Sequence, residues 1–313
     1  MTSREFSLDD ARGSIAIPRP DDDKYSRGVL GVVTGSQQYP GAAVLGVEAA
    51  LRTGVGMLRY LGDAQSTLLV LQRRPEVVTV NGRVQAWLLG SGMAAADRDA
   101  STTKRLLAAL EQSVPVVLDA GALDLIDRVT GPVIITPHHG ELARMFAVAR
   151  EEVAANPAAW ARRATERWGA TVLLKGSRTV IVEAGASADC LLTVSSSNGF
   201  TATAGAGDAL GGILGALLAT RRAAILGEPL MSGDPLMSGD PVIAHNPAGS
   251  GDPAGSGDPA GSGDPAVLLA PVAAAAAVIH REAAALAGAG GPFVVLELAE
   301  AVSTVIAELI RRA

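Results

Sequence analysis

The chain has 313 residues, 48% hydrophobic and 19% charged, with 36 glycines but only 3% aromatics. That composition suits one large globular domain, or two small ones, packed closely through small side chains. A formal net charge of -6 argues against a nucleic-acid partner. Cys190 is the only cysteine, so an internal disulfide is excluded and a reducing compartment is expected. Its neighbours Leu191 and Leu192 place it in a buried strand.

Residues 1–23 read as an N-terminal extension. Met1–Asp10 mixes charges without an apolar run, unlike a signal peptide. One domain is expected over 24–313. Strands are predicted at Val29–Thr34, Met57–Leu61 and Ala86–Gly90, with a helix at Ala42–Thr53 between the first two. A helix at Arg98–Gln112 precedes a buried strand, Val114–Asp119, and a short helix from Ala122. The strand Val133–Thr136 leads into a helix near Glu141–Phe146, and another helix covers Ala158–Trp168. Strands follow at Thr171–Lys175, Thr179–Glu183 and Leu191–Val194, then a helix at Ala209–Ala219. Nearly continuous apolar strands between helices indicate an α/β fold, a mainly parallel sheet covered on both faces. Ligands in such folds bind at the carboxyl ends of the strands.

The segment 227–265 breaks this pattern. Leu-Met-Ser-Gly-Asp-Pro occurs twice and Ala-Gly-Ser-Gly-Asp-Pro three times. A hexapeptide period rich in Gly, Ser, Asp and Pro buries no core, so a disordered loop is expected. Calcium-binding repeats have a longer period and a buried apolar position that these lack. Two helices follow, Val267–Ala287 and Leu296–Arg312. The most apolar stretch, Val267–Ile279, is too short to span a bilayer and carries Pro271. A cytoplasmic protein with no membrane partner is expected. His280, on the first of these helices, reads as a structural or surface histidine.

The most informative segment is Asn198–Asp208. A loop of small residues ends in a carboxylate and enters an apolar helix. Glycine allows close approach to a ligand, and the unpaired N–H groups of a helix start attract phosphate. Gly205, Ala206 and Gly207 thus form a candidate anion hole. A carboxylate beside phosphate makes sense if it takes a proton from the attacking group, so Asp208 is the candidate base. An ordinary helix start with a first-turn acid is the plain alternative.

Other strand ends add functional groups. His138, in Thr136-Pro137-His138-His139-Gly140-Glu141, is placed to hydrogen-bond a substrate or order water. Glu141 is a candidate to hold Mg²⁺ through water, or simply a first-turn charge. Lys175-Gly176-Ser177-Arg178-Thr179 joins two strands with a cation, a glycine and hydroxyls, suited to phosphate or to an ordinary hairpin. Lys175 is one of three lysines, with Lys24 and Lys104. Asp119 ends a buried strand, where a carboxylate must face a ligand, a metal or a helix start. Small residues at Thr34-Gly35-Ser36, Tyr39–Ala43 and Gly90-Ser91-Gly92 keep a crevice open.

In this order the segments resemble the ADP/ATP-dependent NAD(P)H-hydrate dehydratases of the ribokinase superfamily, from about Lys24 to Arg312 outside the hexapeptide insertion. The resemblance rests on Gly35–Ala43, Arg74–Val77, LLGSGM, VVLDAGAL, TPHHGEL, LLKGSRT and N-x₆-GAGD. It implies a ribokinase-like fold and dehydration of hydrated NADH or NADPH, with ADP or ATP as co-substrate, Mg²⁺, and a homotetramer. It implies substrate contacts at Ala43, Gly92, His138 and Asp208. Nucleotide contacts are implied at Lys175, Gly176, Ser177, Arg178, Thr179 and Gly207, with Asp208 as base. His138 and Glu141 occupy the Asn and Glu places of the N-x-x-E motif of related kinases. Two departures stand out. Gly121 replaces a usual aspartate, and Gly90-Ser91-Gly92-Met93-Ala94 replaces Gly-Pro-Gly-Leu-Gly, which is expected to loosen a turn. Many relatives carry an epimerase domain before this one, for which the residues preceding Lys24 are too few. The rival readings are an ATP-dependent vitamin-precursor kinase and a non-catalytic nucleotide-binding protein.

Overall fold

The structure, a computed structural model, describes residues 3–185, 191–196, 199–222, 225 and 269–311. Cys190 and the hexapeptide segment 227–265 lie outside the described residues.

Nine strands are described: β1 (Ser3–Glu5), β2 (Val29–Val33), β3 (Met57–Tyr60), β4 (Ala86–Leu89), β5 (Val116–Leu118), β6 (Val133–Ile135), β7 (Thr171–Leu174), β8 (Arg178–Val182) and β9 (Leu191–Ser195). They form one sheet in the order β1-β9-β8-β7-β6-β5-β4-β2-β3. From β7 to β3 every neighbour is parallel; β8 runs antiparallel to both β7 and β9. The N-terminal β1 joins the edge parallel to β9, and Phe6 N–H continues the ladder to the Thr193 carbonyl at 2.8 Å.

The helices are α1 (Leu8–Ala11), α2 (Pro40–Thr53), α3 (Ala64–Arg73), α4 (Ala100–Leu110), α5 (His139–Phe146), α6 (Arg150–Ala155), α7 (Pro157–Trp168), α8 (Ala206–Thr220), α9 (Leu269–Gly288) and α10 (Val295–Arg311). Local chemistry sets many of their ends. Pro40 and Pro157 occupy first-turn positions, and Gly54 and Gly169 close α2 and α7 in the left-handed region. Asp63 caps α3 through the N–H groups of Gln65 and Ser66. The expected element order omits β1, α1, α3 and α6.

Alternation along the strands sorts side chains to two faces. Leu30, Val32, Leu58 and Leu88 pack with α2, α8, α9 and α10. Val29, Val33, Leu89 and Val116 pack with α4, α5, α6 and α7. Helix α9 is long and apolar enough to cross a membrane, but 67% of its apolar window is buried within the protein. It is a core helix of this domain.

Candidate active site

The pocket lies where strand ends meet the start of α8. Lys175 N–H bonds the Pro137 carbonyl at 2.8 Å, and an isolated bridge pairs His138 with Lys175. The β6 and β7 ends are thereby held side by side. Asp119, one residue beyond β5, is 3% exposed. It accepts from Ser91 Oγ at 2.9 Å, Thr136 Oγ1 at 2.8 Å and Lys175 Nζ at 2.7 Å. Four strand ends, from β4, β5, β6 and β7, thus converge on one carboxylate. Asp119 stands at the start of a 3-10 helix, Ala120–Arg128, but its side chain makes no cap bond there, so of its expected roles the helix start is set aside. It holds the lysine.

Burial works against the charge on Asp119, yet Lys175, Thr136 and Ser91 keep its carboxyl below the ordinary value. Burial likewise opposes the charge on Lys175, but Asp119 and Glu141 keep the ammonium above its ordinary value. Glu141 Oε2 lies 3.9 Å from Lys175 Nζ.

Helix α8 begins at Ala206, three residues before the expected start. Gly205 takes φ 94, a left-handed value, as its cap residue. Asp208 therefore sits inside the first turn, and the candidate anion hole is that turn. A Cβ on Gly207 would lie 3.7 Å from Lys175 Nζ, so the lysine approaches the helix start directly. Burial first, then repulsion from Asp119, push the Asp208 carboxyl up to about 7, against the pull of Lys175. A carboxylate with that value is poised to accept a proton near neutral pH.

His138 and Glu141 form a reciprocal cap on α5. Glu141 N–H donates to His138 Nδ1 at 3.1 Å, and His138 N–H donates to Glu141 Oε2 at 2.8 Å. Burial pushes the imidazole below its ordinary value, which keeps it neutral and able to accept at Nδ1. Among the described residues no group of three or more His, Cys, Asp or Glu is placed to hold a metal ion. Glu141 alone does not make a resident metal site. It fits a Mg²⁺ that keeps its waters and arrives on phosphates.

A cavity of about 530 Å³ opens beside this cluster, lined by Lys175, Gly176, Ser177, Thr179, Ala206 and Gly207 among others. Arg178 does not line it; its guanidinium lies 3.6 Å from Glu5 and bonds Thr193 Oγ1. Ala43 and Gly92 gather instead at the ends of β2 and β4. A Cβ on Gly35 would sit 3.0 Å from that of Ala43, and one on Gly92 would strike Ala42.

Both departures from the family pattern have local accounts. Ser91, where the resemblance expects proline, donates to Asp119 at 2.9 Å, a bond that proline cannot make. Gly121 lies so close that a Cβ would meet the Met93 backbone. Its carbonyl also accepts from Arg98, which pairs with Asp124 at 2.8 Å.

Among the cavity residues not predicted as site residues are two polar ones on α9. His280, read as structural or surface, reaches the cavity from α9, and Arg281 follows it. Their spacing from Ala277, at i+3 and i+4 on a helix, is the signal available. Nothing local in the sequence says which cavity that face meets.

A mainly parallel sheet with strand-end acids, a cationic hairpin and an acidic helix start defines a ribokinase-like α/β protein. Solved structures agree. The ADP/ATP-dependent NAD(P)H-hydrate dehydratase from Bacillus subtilis, co-crystallised with ATP/Mg²⁺, superposes with a TM-score of 0.73 at 22% identity, over 99% of both chains. A ribokinase-like superfamily protein from Enterococcus faecalis also gives 0.73, at 21% identity over 98% of this chain and 96% of that one. Residues 30–232 match the NAD(P)H-hydrate dehydratase family model, and the chain belongs to that family. The bifunctional NAD(P)H-hydrate repair enzyme Nnr of Mycobacterium leprae is 41% identical over 217 residues, 65% of this chain and 43% of the relative. The ADP-dependent (S)-NAD(P)H-hydrate dehydratase of Neisseria meningitidis is 35% identical, over 64% of this chain and 72% of that protein. The chain spans less than half the length of the bifunctional mycobacterial relatives it matches.

Proposed function

We propose that the protein dehydrates the S-epimer of hydrated NADH or NADPH, consuming ADP in preference to ATP, and so regenerates NAD(P)H. The observation that carries the chemistry is Asp208, raised to about 7 in the first turn of α8. Lys175 lies against the neighbouring Gly207. The substrate and the nucleotide come from the family and its named relatives.

Asp208 accepts the proton of the 6-hydroxyl as that oxygen attacks the terminal phosphorus. The phosphorus–oxygen bond to the nucleotide breaks, leaving AMP from ADP. The N–H groups of the first α8 turn and Lys175 steady the transferring charge. Phosphate then leaves C6, a C5 proton is lost, and the ring double bond returns. Magnesium bound to the nucleotide phosphates would neutralise charge there, with Glu141 reaching it through water. Ala43, Gly92 and His138 contact the hydrated nicotinamide nucleotide. Gly176, Ser177, Arg178 and Thr179 form the nucleotide turn, with Arg178 contributing through its backbone. The resemblance further implies a cytoplasmic homotetramer, which light scattering would check for oligomeric state.

The test is recovery of dihydronicotinamide absorbance from hydrated NADH with ADP, then with ATP. Wild type should restore it with release of inorganic phosphate. Asp208→Asn should abolish turnover while still binding ADP. A stable phosphorylated product would instead identify a small-molecule kinase, and binding without turnover a nucleotide-binding protein.

A further inference from the structure

The charge around Lys175 is already committed. Asp119 holds its ammonium at 2.7 Å, Glu141 lies at 3.9 Å, and Asp208 adds a third nearby acid. A phosphate chain entering the cavity meets this surplus of carboxylate. The first turn of α8 offsets part of it. Among the described residues that line the cavity, the other cation is Arg281.

Helix α9 carries Arg281 to this place by its spacing. Ala277, His280 and Arg281 fall at i, i+3 and i+4 and line the same cavity. Ala277 leaves room. His280 Nε2 lies 2.9 Å from the Ala206 carbonyl, in the first turn of α8. Burial pushes the imidazole down to about 4, so the ring is neutral and Nε2–H donates. That bond ties α9 to the helix start where phosphate is expected. Arg281 is the next residue along. Its side chain is 19% exposed, and its Nε and Nη2 pair with Glu282 at 2.9 and 2.7 Å. This pairing occupies Nε and Nη2 and leaves Nη1 for an acceptor.

We propose that Arg281 is a nucleotide-binding residue that contacts the phosphate chain of the adenine nucleotide, with His280 holding α9 against the α8 start. The inference rests on the adenine-nucleotide reading of the cavity. It deepens that reading by assigning a second wall to the site, from α9, besides the Lys175 hairpin. Arginine suits the task because its planar fork binds phosphate oxygens while one edge stays paired.

The experiment is equilibrium binding of ADP and of adenosine to wild type, Arg281→Gln and Arg281→Lys. Thermal unfolding of each serves as a fold check. Loss of one charge-assisted hydrogen bond predicts about 10- to 100-fold weaker ADP binding in Arg281→Gln. Adenosine binding should stay within about twofold, since it has no phosphate, and Arg281→Lys should recover part of the loss. Unchanged ADP affinity in folded Arg281→Gln overturns the proposal. So does an equal loss for ADP and adenosine, which marks a base contact or a disturbed fold. Wild type that binds ADP but restores no NADH removes the dehydratase reading alone. Wild type that binds neither ADP nor adenosine removes both.

Discussion

The role proposed for Asp208 as base carries a cost in stability. As a base it must be ionised, so kcat/KM should climb as pH rises through about 7 and then level off. A profile flat between pH 5 and 8 would exclude it as the base. The same raised value acts on folding. The folded carboxyl keeps its proton above the ordinary value of roughly 3.9, so stability is full at acid pH and declines as pH rises through about 7. Asp208→Asn escapes that decline. Its melting temperature should exceed wild type above pH 7 and match it near pH 4; a difference independent of pH would contradict this. At the neighbouring strand end, Lys175→Ala strands Asp119 without its cation. The loss expected for breaking a buried pair is about 3 kcal/mol, measurable by urea unfolding at neutral pH.

Between elements, α2 is fastened by charge on one side and by close approach on the other. Glu48 is fully buried on α2 and pairs with Arg52, Arg73 and Arg74, and Arg73 also reaches Glu300 on α10. Burial opposes its charge, but Arg74, Arg52 and Arg73 keep the carboxyl below its ordinary value. The pairing is therefore present above the unfolded value of roughly 4.3 and is lost as pH falls below it. Glu48→Gln should cost about 2 kcal/mol at pH 7, less than a fully buried pair because the arginines retain 23–37% exposure. That deficit should shrink below pH 4; a constant deficit would point to packing instead. On the other side, a Cβ on Gly212 of α8 would collide with the Gly46 carbonyl of α2. Separating α2 from α8 there would also disturb the helix that presents Asp208.

Across the whole molecule, the first residues of the chain close the sheet edge next to β9. Phe6 is 2% and Ala11 0% exposed. Ser14 Oγ bonds the Pro271 carbonyl at 3.3 Å, and Glu5 accepts from Ser195 N–H at 2.7 Å. Starting the chain at Ile15 should lower the melting temperature markedly, since losing a buried phenylalanine alone costs about 3 kcal/mol. An unchanged melting temperature would show that this strand adds nothing to the fold.

Much of this architecture is legible from residue order. Strands Val29–Val33 and Val116–Leu118 are apolar throughout, and a strand buried on both faces needs no partner to reveal it. The short N-terminal strand is three exposed polar residues, without periodicity, and exists through its pairing with β9. Helix α3 buries only Ser66 and Val70, too few to mark a face. The site divides the same way. The glycines and carboxylate of Gly205–Asp208, and Lys175 in its hairpin, signal phosphate chemistry because such groups are costly or unusual where they stand. That Asp119 binds Lys175, and that His280 bonds Ala206, follows from contacts between distant parts of the chain. Local pattern and local cost suffice to read a mainly parallel α/β sheet and to point to phosphate chemistry at its strand ends. Tertiary structure alone decided the value of Asp208, the partner of Lys175 and the second wall of the cavity. Burial and charge proximity are properties of the packed chain, not of its order.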